Sequence, residues 1–479
     1  MSCDSKEQRL QRELKPLHVW ALAFGCIIGG SAFFMPGATF LPKAGPLGTA
    51  IAMFAAAVLM IVIAFNYHYM VNKFPVAGGE FAFAQNAFGE KHAFLCAWFL
   101  GLSYISLVPL NATLLGVVGR NLFSGFFTAE PLYEVAGFGV YLFDILLAVA
   151  SIIGLSILNI RGIKVTGAFN TLLAFALVLG VVIFALAAFF GQRASMAVMS
   201  PSFPSGDGAA LGLVGIFAVS PWAFVGFDTV PQTAEEFSFS HSKTRRLLVF
   251  AILFSALVYV TINTVTASVV PVGFSSWEEY IVRLKAFKGL ESMPTFYAAH
   301  ELMGNCGLAL FCVAIIATCF ASVVGFSVAS SRLLYSMSRA KVLPGWFGEL
   351  HPSFATPRNA IVFVMVLSLL APFFGRTVLL WIVNMAAIGA AVGYGYTSLA
   401  TVKYARQEGD ICHVIMGLIG TVASCAFIVL LVVPIEAFAC SLHVEEYVAL
   451  ILWMLLGLLF YARRVIACVL SILYGGVHA

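Results

Sequence analysis

Charged residues are scarce in this chain. Only 10% of its 479 residues are charged and 61% are apolar, whereas an ordinary soluble domain carries about 25% charged residues. The net charge of +4 is too small and too dispersed for a nucleic-acid-binding protein, whose basic residues cluster on one face. Too little polar surface remains to cover a single globular core in water. The sequence therefore predicts a polytopic membrane protein.

Motifs for metal binding and catalysis are also absent from the sequence. The ten cysteines include no Cys-x-x-Cys pair, the spacing that a structural zinc site requires. The nine histidines include no pair at helical spacing with a carboxylate, as a metalloenzyme would need. The sequence predicts no cofactor, no metal and no catalytic residue, and a membrane-embedded enzyme or a channel stays a remote alternative.

Long apolar runs dominate the chain instead. A bilayer core needs about 20 apolar residues per helix, and this measure gives twelve candidate spans. Their approximate limits are 17–41, 47–71, 93–119, 139–160, 165–190, 209–230, 246–270, 302–334, 358–375, 377–402, 412–434 and 445–474. The first run exceeds the ~7–15 residues of a signal-peptide core, so we expect a retained first helix.

The basic residues predict the orientation of these spans. Twelve spans place both termini on one side, and 19 of the 26 Lys and Arg then lie on that side. Cytoplasmic segments carry an excess of basic residues. The sequence therefore predicts a multi-pass protein of the cell membrane, with cytoplasmic tails at residues 1–16 and 475–479 and no partner other than lipid and a small molecule.

The first and sixth spans are poor continuous helices. The first contains Gly29 and Gly30, with Pro36 close behind, and the sixth contains Pro221 and Gly226. Glycine costs about 1 kcal/mol in a helix interior, and proline removes an N–H and clashes with the preceding turn. Both spans are expected to be broken at membrane depth.

Broken helices at matching places in two halves indicate a transporter site between inverted repeats. Spans one and six match if the repeat is five spans long, with residues 17–190 and 209–404 as the halves and 412–474 appended. Gly and Pro can also serve close helix packing, which is the structural alternative. The transporter interpretation is all-α, with twelve transmembrane helices acting as a single chain, although an oligomer is also compatible.

Unwound backbone supplies the chemistry that a small zwitterion needs. Free N–H groups at residues 29–31 suit a carboxylate, and carbonyls near Ser220–Phe224 suit an ammonium group. Asp228 follows the second break, where it binds substrate, takes up a coupling proton or caps backbone. Glu235 and Glu236 are expected to pair with a base near the cytoplasm, with Lys243, Arg245 and Arg332 as candidates, and simple solvation of both acids is the alternative. His68 is either a proton sensor or a packing residue.

Four segments in order carry a family likeness, namely residues 28–33, 74–80, 222–228 with 234–236, and 329–335. On these segments, residues 17–404 of the chain resemble the amino acid–polyamine–organocation superfamily of permeases. The resemblance implies a LeuT-like fold with alternating access and a central amino-acid or amine site. By position it also implies that Asn111, Trp222 and Phe326 contribute side chains to that site, and for Asn111 a hydrogen bond between helices is the alternative.

Two candidate sets result from the residues and the resemblance together. The substrate-binding candidates are Ile28, Gly29, Gly30, Ser31, Asn111, Ser220, Trp222, Ala223, Phe224, Gly226, Asp228 and Phe326. The gating candidates are Glu235, Glu236 and Arg332.

The chain departs from the family pattern at two places. The family's first-helix Gly-Ser-Gly is inverted at Gly30 and Ser31. Some relatives carry a lysine in the fifth span, whereas Lys164 lies at its edge here, so coupling through such a lysine is not expected. We predict a secondary active transporter of amino acids or related amines. A polyamine, biogenic-amine or other organic-cation transporter of the same fold is the alternative, and the coupling ion, H⁺ or Na⁺, is left open.

Overall fold

The computed structural model describes residues 10–122, 130–135, 138–205, 209–218, 220–287, 289–433, 442 and 444–474. The predicted tail 475–479 and most of the predicted tail 1–16 lie outside these residues. Sixteen α-helices are described: α1 Pro16–Ile28, α2 Leu41–Lys73, α3 Gly79–Phe88, α4 Glu90–Leu122, α5 Leu142–Ile160, α6 Ile163–Phe190, α7 Ala209–Ala218, α8 Ser220–Phe224, α9 Thr229–Gln232, α10 Thr244–Ala267, α11 Trp277–Val282, α12 Pro294–Arg339, α13 Arg358–Ser368, α14 Gly375–Glu408, α15 Ile411–Val432 and α16 Val444–Tyr474. Two antiparallel strands, β1 Tyr133–Val135 and β2 Phe138–Val140, pair between α4 and α5.

Within the described ranges, nine helices are long and apolar enough to cross a membrane, which confirms a polytopic helical membrane protein. The predicted spans that do not form such a helix are 17–41, 209–230 and 358–375. The first two are interrupted by glycine and proline, because α1 ends at Ile28 and residues 209–232 are divided among α7, α8 and α9. The third forms only a shorter apolar stretch, Arg358–Phe374, in which α13 is followed by a 3₁₀ turn, Ala371–Phe374.

Two predicted boundaries coincide with glycine kinks inside long helices. Gly45 has a φ of +68° and precedes Pro46, close to the predicted gap between spans one and two. A methyl group at Gly45 would lie 3.0 Å from the carbonyl oxygen of Ser202, so the left-handed turn also permits a close backbone approach. Gly304, with a φ of +65°, divides α12 near the predicted start of span eight.

Helix α1 lies at the centre of the fold, in contact with α6, α10 and α12. Small residues permit close approach between helices: a methyl group at Gly180 of α6 would lie 2.6 Å from the Ala314 Cβ of α12. The opposite side of α6 is apolar and exposed at helical spacing, at Leu172, Phe175, Leu179, Val182 and Leu186. This apolar exposed side is what a bilayer requires.

Candidate functional site

The first helix break is formed by Gly29. This residue has φ 52° and ψ 165°, and a 3₁₀ turn, Gly30–Phe33, follows it. The Gly30 N–H donates a hydrogen bond to Asn111 Oδ1 over 3.0 Å, and Asn111 Nδ2 donates to the Leu107 carbonyl of its own helix, α4. A main-chain donor exposed by the break therefore meets a buried polar side chain at membrane depth.

The second break lies directly against the first. Helix α8 ends at Phe224, and Gly226 has a φ of +136°. A methyl group at Gly226 would lie 2.6 Å from the Ile27 nitrogen and 2.7 Å from the Cys26 Cβ. Only glycine lets the two main chains approach this closely, so the two interruptions meet at one place in the fold.

Tyr259 of α10 bridges the two broken ends. Its hydroxyl lies 3.0 Å from the Ile27 carbonyl oxygen and 3.1 Å from the Ala223 carbonyl oxygen. Both carbonyls lie in the last turn of a helix, where no intrahelical donor is available to them. One of them, the Ala223 carbonyl, belongs to the set that the sequence assigns to an ammonium group, and it is held here by a buried phenol.

Replacing Tyr259 by phenylalanine is expected to destabilise the protein measurably. The substitution keeps the ring but removes a donor shared by two buried carbonyls, and loss of such a partner costs about 1–3 kcal/mol. The measurement is the thermal unfolding midpoint of the purified protein in detergent. Tyr404→Phe is the matched control, because the Tyr404 hydroxyl also donates to a carbonyl, that of Asn86, but at an exposed position. Equal midpoints for the two variants would contradict the bridging role.

Asp228 is fully buried, and both its oxygens accept hydrogen bonds. Oδ1 accepts the Gly226 N–H over 2.7 Å, and Oδ2 accepts the Tyr104 hydroxyl over 2.9 Å. A second fully buried acid, Glu80, accepts from the Tyr67 hydroxyl over 2.8 Å and from Gln232 Nε2 over 2.6 Å. The Tyr104 hydroxyl also lies 3.4 Å from Glu80 Oε1, so one phenol connects the two carboxylates.

The predicted gating residues lie at one end of the two breaks. Arg332 Nε and Nη2 donate to the two carboxylate oxygens of Glu236 over 3.1 and 3.0 Å, and both side chains are buried. Burial raises the pKa of the Glu236 carboxyl, and the Arg332 guanidinium opposes that rise. Glu235 pairs with Arg339 over 2.9 Å, a partner that the sequence reasoning did not name.

The segment before α1 is joined to this network through the main chain. The Leu14 N–H donates to the Glu236 carbonyl over 3.0 Å, and the Ser238 N–H donates to the Leu14 carbonyl over 3.0 Å. These bonds fix the start of α1 beside the end of the second broken segment.

The remaining substrate-binding candidates lie close to the breaks, and their side chains differ in burial and in the groups that they contact. Trp222 is buried, and the buried Ser220 Oγ has no hydrogen-bond partner among the described residues. The Phe326 ring lies 6.1 Å from the Tyr104 ring, centroid to centroid. The Ser31 side chain is half-buried. Outside this group, His68 Nδ1 lies 2.8 Å from Thr244 Oγ1.

A separate cavity of about 670 Å³ lies among α4, α5 and α12. Its lining is almost entirely apolar and includes none of the predicted site residues; it is formed by Leu115, Val118, Gly119, Phe143, Leu147, Asn305, Leu308, Ala309, Cys312, Val313, Ile316 and Phe320. Its size is within the range of ligand pockets, but its few polar groups do not suit a zwitterion.

The sequence reasoning missed Tyr259, Tyr104 and the role of Glu80. The available signal was weak in each case: two tyrosines within apolar helices, and an acid directly after Gly78 and Gly79. Gly79 has a φ of +40°, and a methyl group there would lie 3.0 Å from Gln232 Nε2. The glycine pair therefore brings Glu80 against the second broken segment.

Comparison with known sequences gives consistent results. The profile of the family described as amino acid permease matches residues 14–460. The branched-chain amino acid permease BcaP of Bacillus subtilis is 26% identical over 478 residues, which cover 96% of this chain and 94% of that protein. A methylthioribose transporter of the same species is 25% identical, covering 86% and 85%. The low-affinity putrescine importer PlaP of Escherichia coli is 24% identical, covering 73% and 71%.

Proposed function

The chain belongs to the amino acid permease family, and from this premise we propose that it carries neutral amino acids, bound between its two broken helices. It is an integral membrane protein and a secondary transporter of amino acids or related amines, not an enzyme. The observation that carries the proposal is the contact of Gly226 with the main chain of Cys26 and Ile27. This contact brings main-chain donors and acceptors of opposite polarity together in a buried place.

Each end of the substrate has a suitable group at the breaks. The main-chain N–H donors near Gly29 and Gly30 suit the carboxylate. In this structure the Gly30 N–H donates to Asn111 Oδ1. When substrate binds, the Gly30 N–H donates to the substrate carboxylate instead, or the Asn111 amide N–H donates to that carboxylate as well. The carbonyls of Ile27 and Ala223 suit the ammonium group, which replaces the Tyr259 hydroxyl when substrate binds. A bound amino acid thus makes hydrogen bonds to main-chain groups that are bonded to other residues of the protein when no substrate is bound.

A neutral amino acid fits the surroundings better than a diamine or a cationic amino acid. Both oxygens of Asp228 already accept hydrogen bonds within the protein, and the side chain is fully buried, which disfavours its use by a second ammonium group. Nearby Trp222 and Phe224 are large and apolar, and a relative is named for branched-chain amino acids. A diamine has no carboxylate to accept from the donor at the first break, so the Gly30 N–H would stay paired with Asn111 and contribute nothing to binding.

The proposed architecture is a LeuT-like fold with twelve spans, cytoplasmic termini and alternating access by a single chain. Broken α1 and the broken segment of α7, α8 and α9 support the pairing of spans one and six. The closed network of Glu236 and Arg332 supports a cytoplasmic gate that opens when the opposite side is closed. Residues 17–190 and 209–404 are the proposed inverted repeats.

Counterflow in proteoliposomes tests the function. Vesicles that contain purified protein and unlabelled amino acids are expected to accumulate the labelled form of at least one neutral amino acid, with leucine, isoleucine and valine tested first and putrescine and lysine included. Asn111→Ala is expected to lower kcat/KM about tenfold, since loss of a buried hydrogen-bond partner costs about 1–3 kcal/mol.

Asn86→Ala is the matched control for this test. Asn86 also donates from Nδ2 to the carbonyl four residues earlier in its helix, but it is exposed and distant from the breaks. It should leave kcat/KM unchanged. If only amines were transported, the substrate would be an amine and not a neutral amino acid. If no compound of the panel were transported, the proposed function would be refuted.

A further inference from the structure

Two buried carboxylates from separate elements share one hydrogen-bonded cluster beside the breaks. Glu80 lies in the first turn of α3, and Asp228 lies between Gly226 and α9. Both side chains are fully buried. Tyr104 lies between them, with its hydroxyl 2.9 Å from Asp228 Oδ2 and 3.4 Å from Glu80 Oε1. A single hydroxyl therefore forms a path between the two acids.

The cluster has no positive charge of its own in the described part of the chain. The other titratable groups facing the two acids are Cys26 of α1, Tyr67 of α2, Cys96 and Tyr104 of α4, and Tyr394 of α14. None of these is a cation, and no described ion pair includes Glu80 or Asp228. The buried guanidinium of Arg332 is paired with Glu236 instead. The charge of the two acids is therefore uncompensated when both are ionised.

Two negative charges so close together in a buried place are strongly unfavourable, and sharing one proton relieves them. Burial, followed by the charge of Asp228, raises the pKa of the Glu80 carboxyl well above its usual range. A protonated Glu80 donates through Oε1 to the Tyr104 oxygen, while Tyr104 donates to Asp228. The Gly226 N–H and Gln232 then continue to donate to the two carboxyl groups as they do now.

We propose that Glu80 and Asp228 share one exchangeable proton, and that this proton enters the cell with the amino acid. The inference rests on the proposed function, because it assigns the coupling ion of the same transporter. A proton from the external solution binds to a carboxylate oxygen of the pair. It is later released to the cytoplasm as H⁺. After release, repulsion between two carboxylates separates α3 from the segment that contains Gly226, which loosens the second break when substrate must leave.

A cation such as Na⁺ is a poorer occupant of this cluster. Each of the four carboxylate oxygens lies within hydrogen-bond distance of an N–H or O–H donor. A hard metal ion needs several oxygen ligands around it, whereas a proton needs only the oxygen that carries it and one hydrogen-bond acceptor. The proton therefore fits the cluster without displacing any bond already made.

Proton entry with substrate tests the inference directly. Proteoliposomes with an internal pH dye and a clamped membrane potential are given the substrate found by counterflow. The wild type is expected to take up about one proton per substrate molecule and to concentrate substrate when the outside is more acidic. Glu80→Gln is expected to lower the proton-to-substrate ratio at least tenfold. Glu408→Gln, a change at a cytoplasmic-side surface carboxylate paired with Lys73, should keep the wild-type ratio.

The outcomes separate the proton site from the proposed function. Absence of counterflow in the wild type refutes the function and with it this inference, whereas counterflow without proton entry, or accumulation driven by a Na⁺ gradient, overturns the proton site alone. An unchanged ratio in Glu80→Gln also overturns it. If that variant transports nothing, infrared spectra of detergent-purified protein decide. The wild type must show the C=O band of a protonated carboxyl that Glu80→Gln loses, and a wild type without this band overturns the proton site.

Discussion

Replacing Gly226 by alanine is expected to abolish transport while leaving the protein in the membrane. The added methyl group would lie 2.6 Å from the Ile27 nitrogen and 2.7 Å from the Cys26 Cβ, and main-chain atoms of a central helix cannot yield as a flexible side chain can. A φ of +136° adds backbone strain on the order of 1–3 kcal/mol. The two broken ends must then separate, and the donors and acceptors no longer face one substrate.

Two other glycines separate this packing effect from simpler causes. Gly409 also has a positive φ, +75°, but a methyl group there has no neighbour within 4 Å, and Gly154 of α5 has open space without a positive φ. Gly409→Ala measures strain alone, and Gly154→Ala measures loss of glycine alone. Both are expected to keep most of the counterflow rate at equal membrane abundance. Normal counterflow by Gly226→Ala would show that the breaks need not touch.

The places where helices end were largely predictable from the sequence because their cause is local. Gly29, Gly45, Gly226 and Gly304 all have positive φ values, and each lies at or near a predicted break or boundary. Proline also ends or bends a helix by a local effect, because it lacks the main-chain N–H that a helix needs. The count of crossing helices is harder to predict, since a broken span does not satisfy the length criterion that a continuous one does.

The partners of side chains were less predictable because they lie far apart in sequence. Tyr259 meets Ile27 across 232 residues, and Glu80 meets Gln232 across 152 residues. Nothing in either local pattern specifies such a contact. The partner of Glu235 shows the same difficulty: several bases lie near the predicted cytoplasmic end of the spans, and only the fold selects Arg339.

A short stretch of chain links the proposed substrate site to the predicted gate. Gly226, Asp228, Gln232 and Glu236 lie within eleven residues and contact, in turn, α1, Tyr104, Glu80 and Arg332. A change of backbone at the second break must therefore shift either the carboxylate cluster or the buried ion pair. This is the physical route by which occupation of the site can open one side of the protein.

Arg332→Met is expected to cause the largest loss of stability among the polar substitutions. It leaves the Glu236 carboxylate buried without its guanidinium, and breaking one side of a buried ion pair costs about 3–5 kcal/mol. The measurement is the thermal unfolding midpoint in detergent, with counterflow at equal abundance as the functional readout. Arg339→Met is the control: Arg339 is 41% exposed, and an exposed ion pair contributes only about 0–1 kcal/mol.

The double variant Arg332→Met, Glu236→Leu distinguishes a gate from a purely structural pair. Removing both charges eliminates the unpaired carboxylate, so the unfolding midpoint is expected to return most of the way to the wild-type value. The hydrogen bonds between Arg332 and Glu236 are nevertheless gone. If the pair is a gate, counterflow stays impaired although stability recovers, because the closed state on that side is no longer favoured over the open one. Recovery of stability and of counterflow together would mean that the pair only holds the fold.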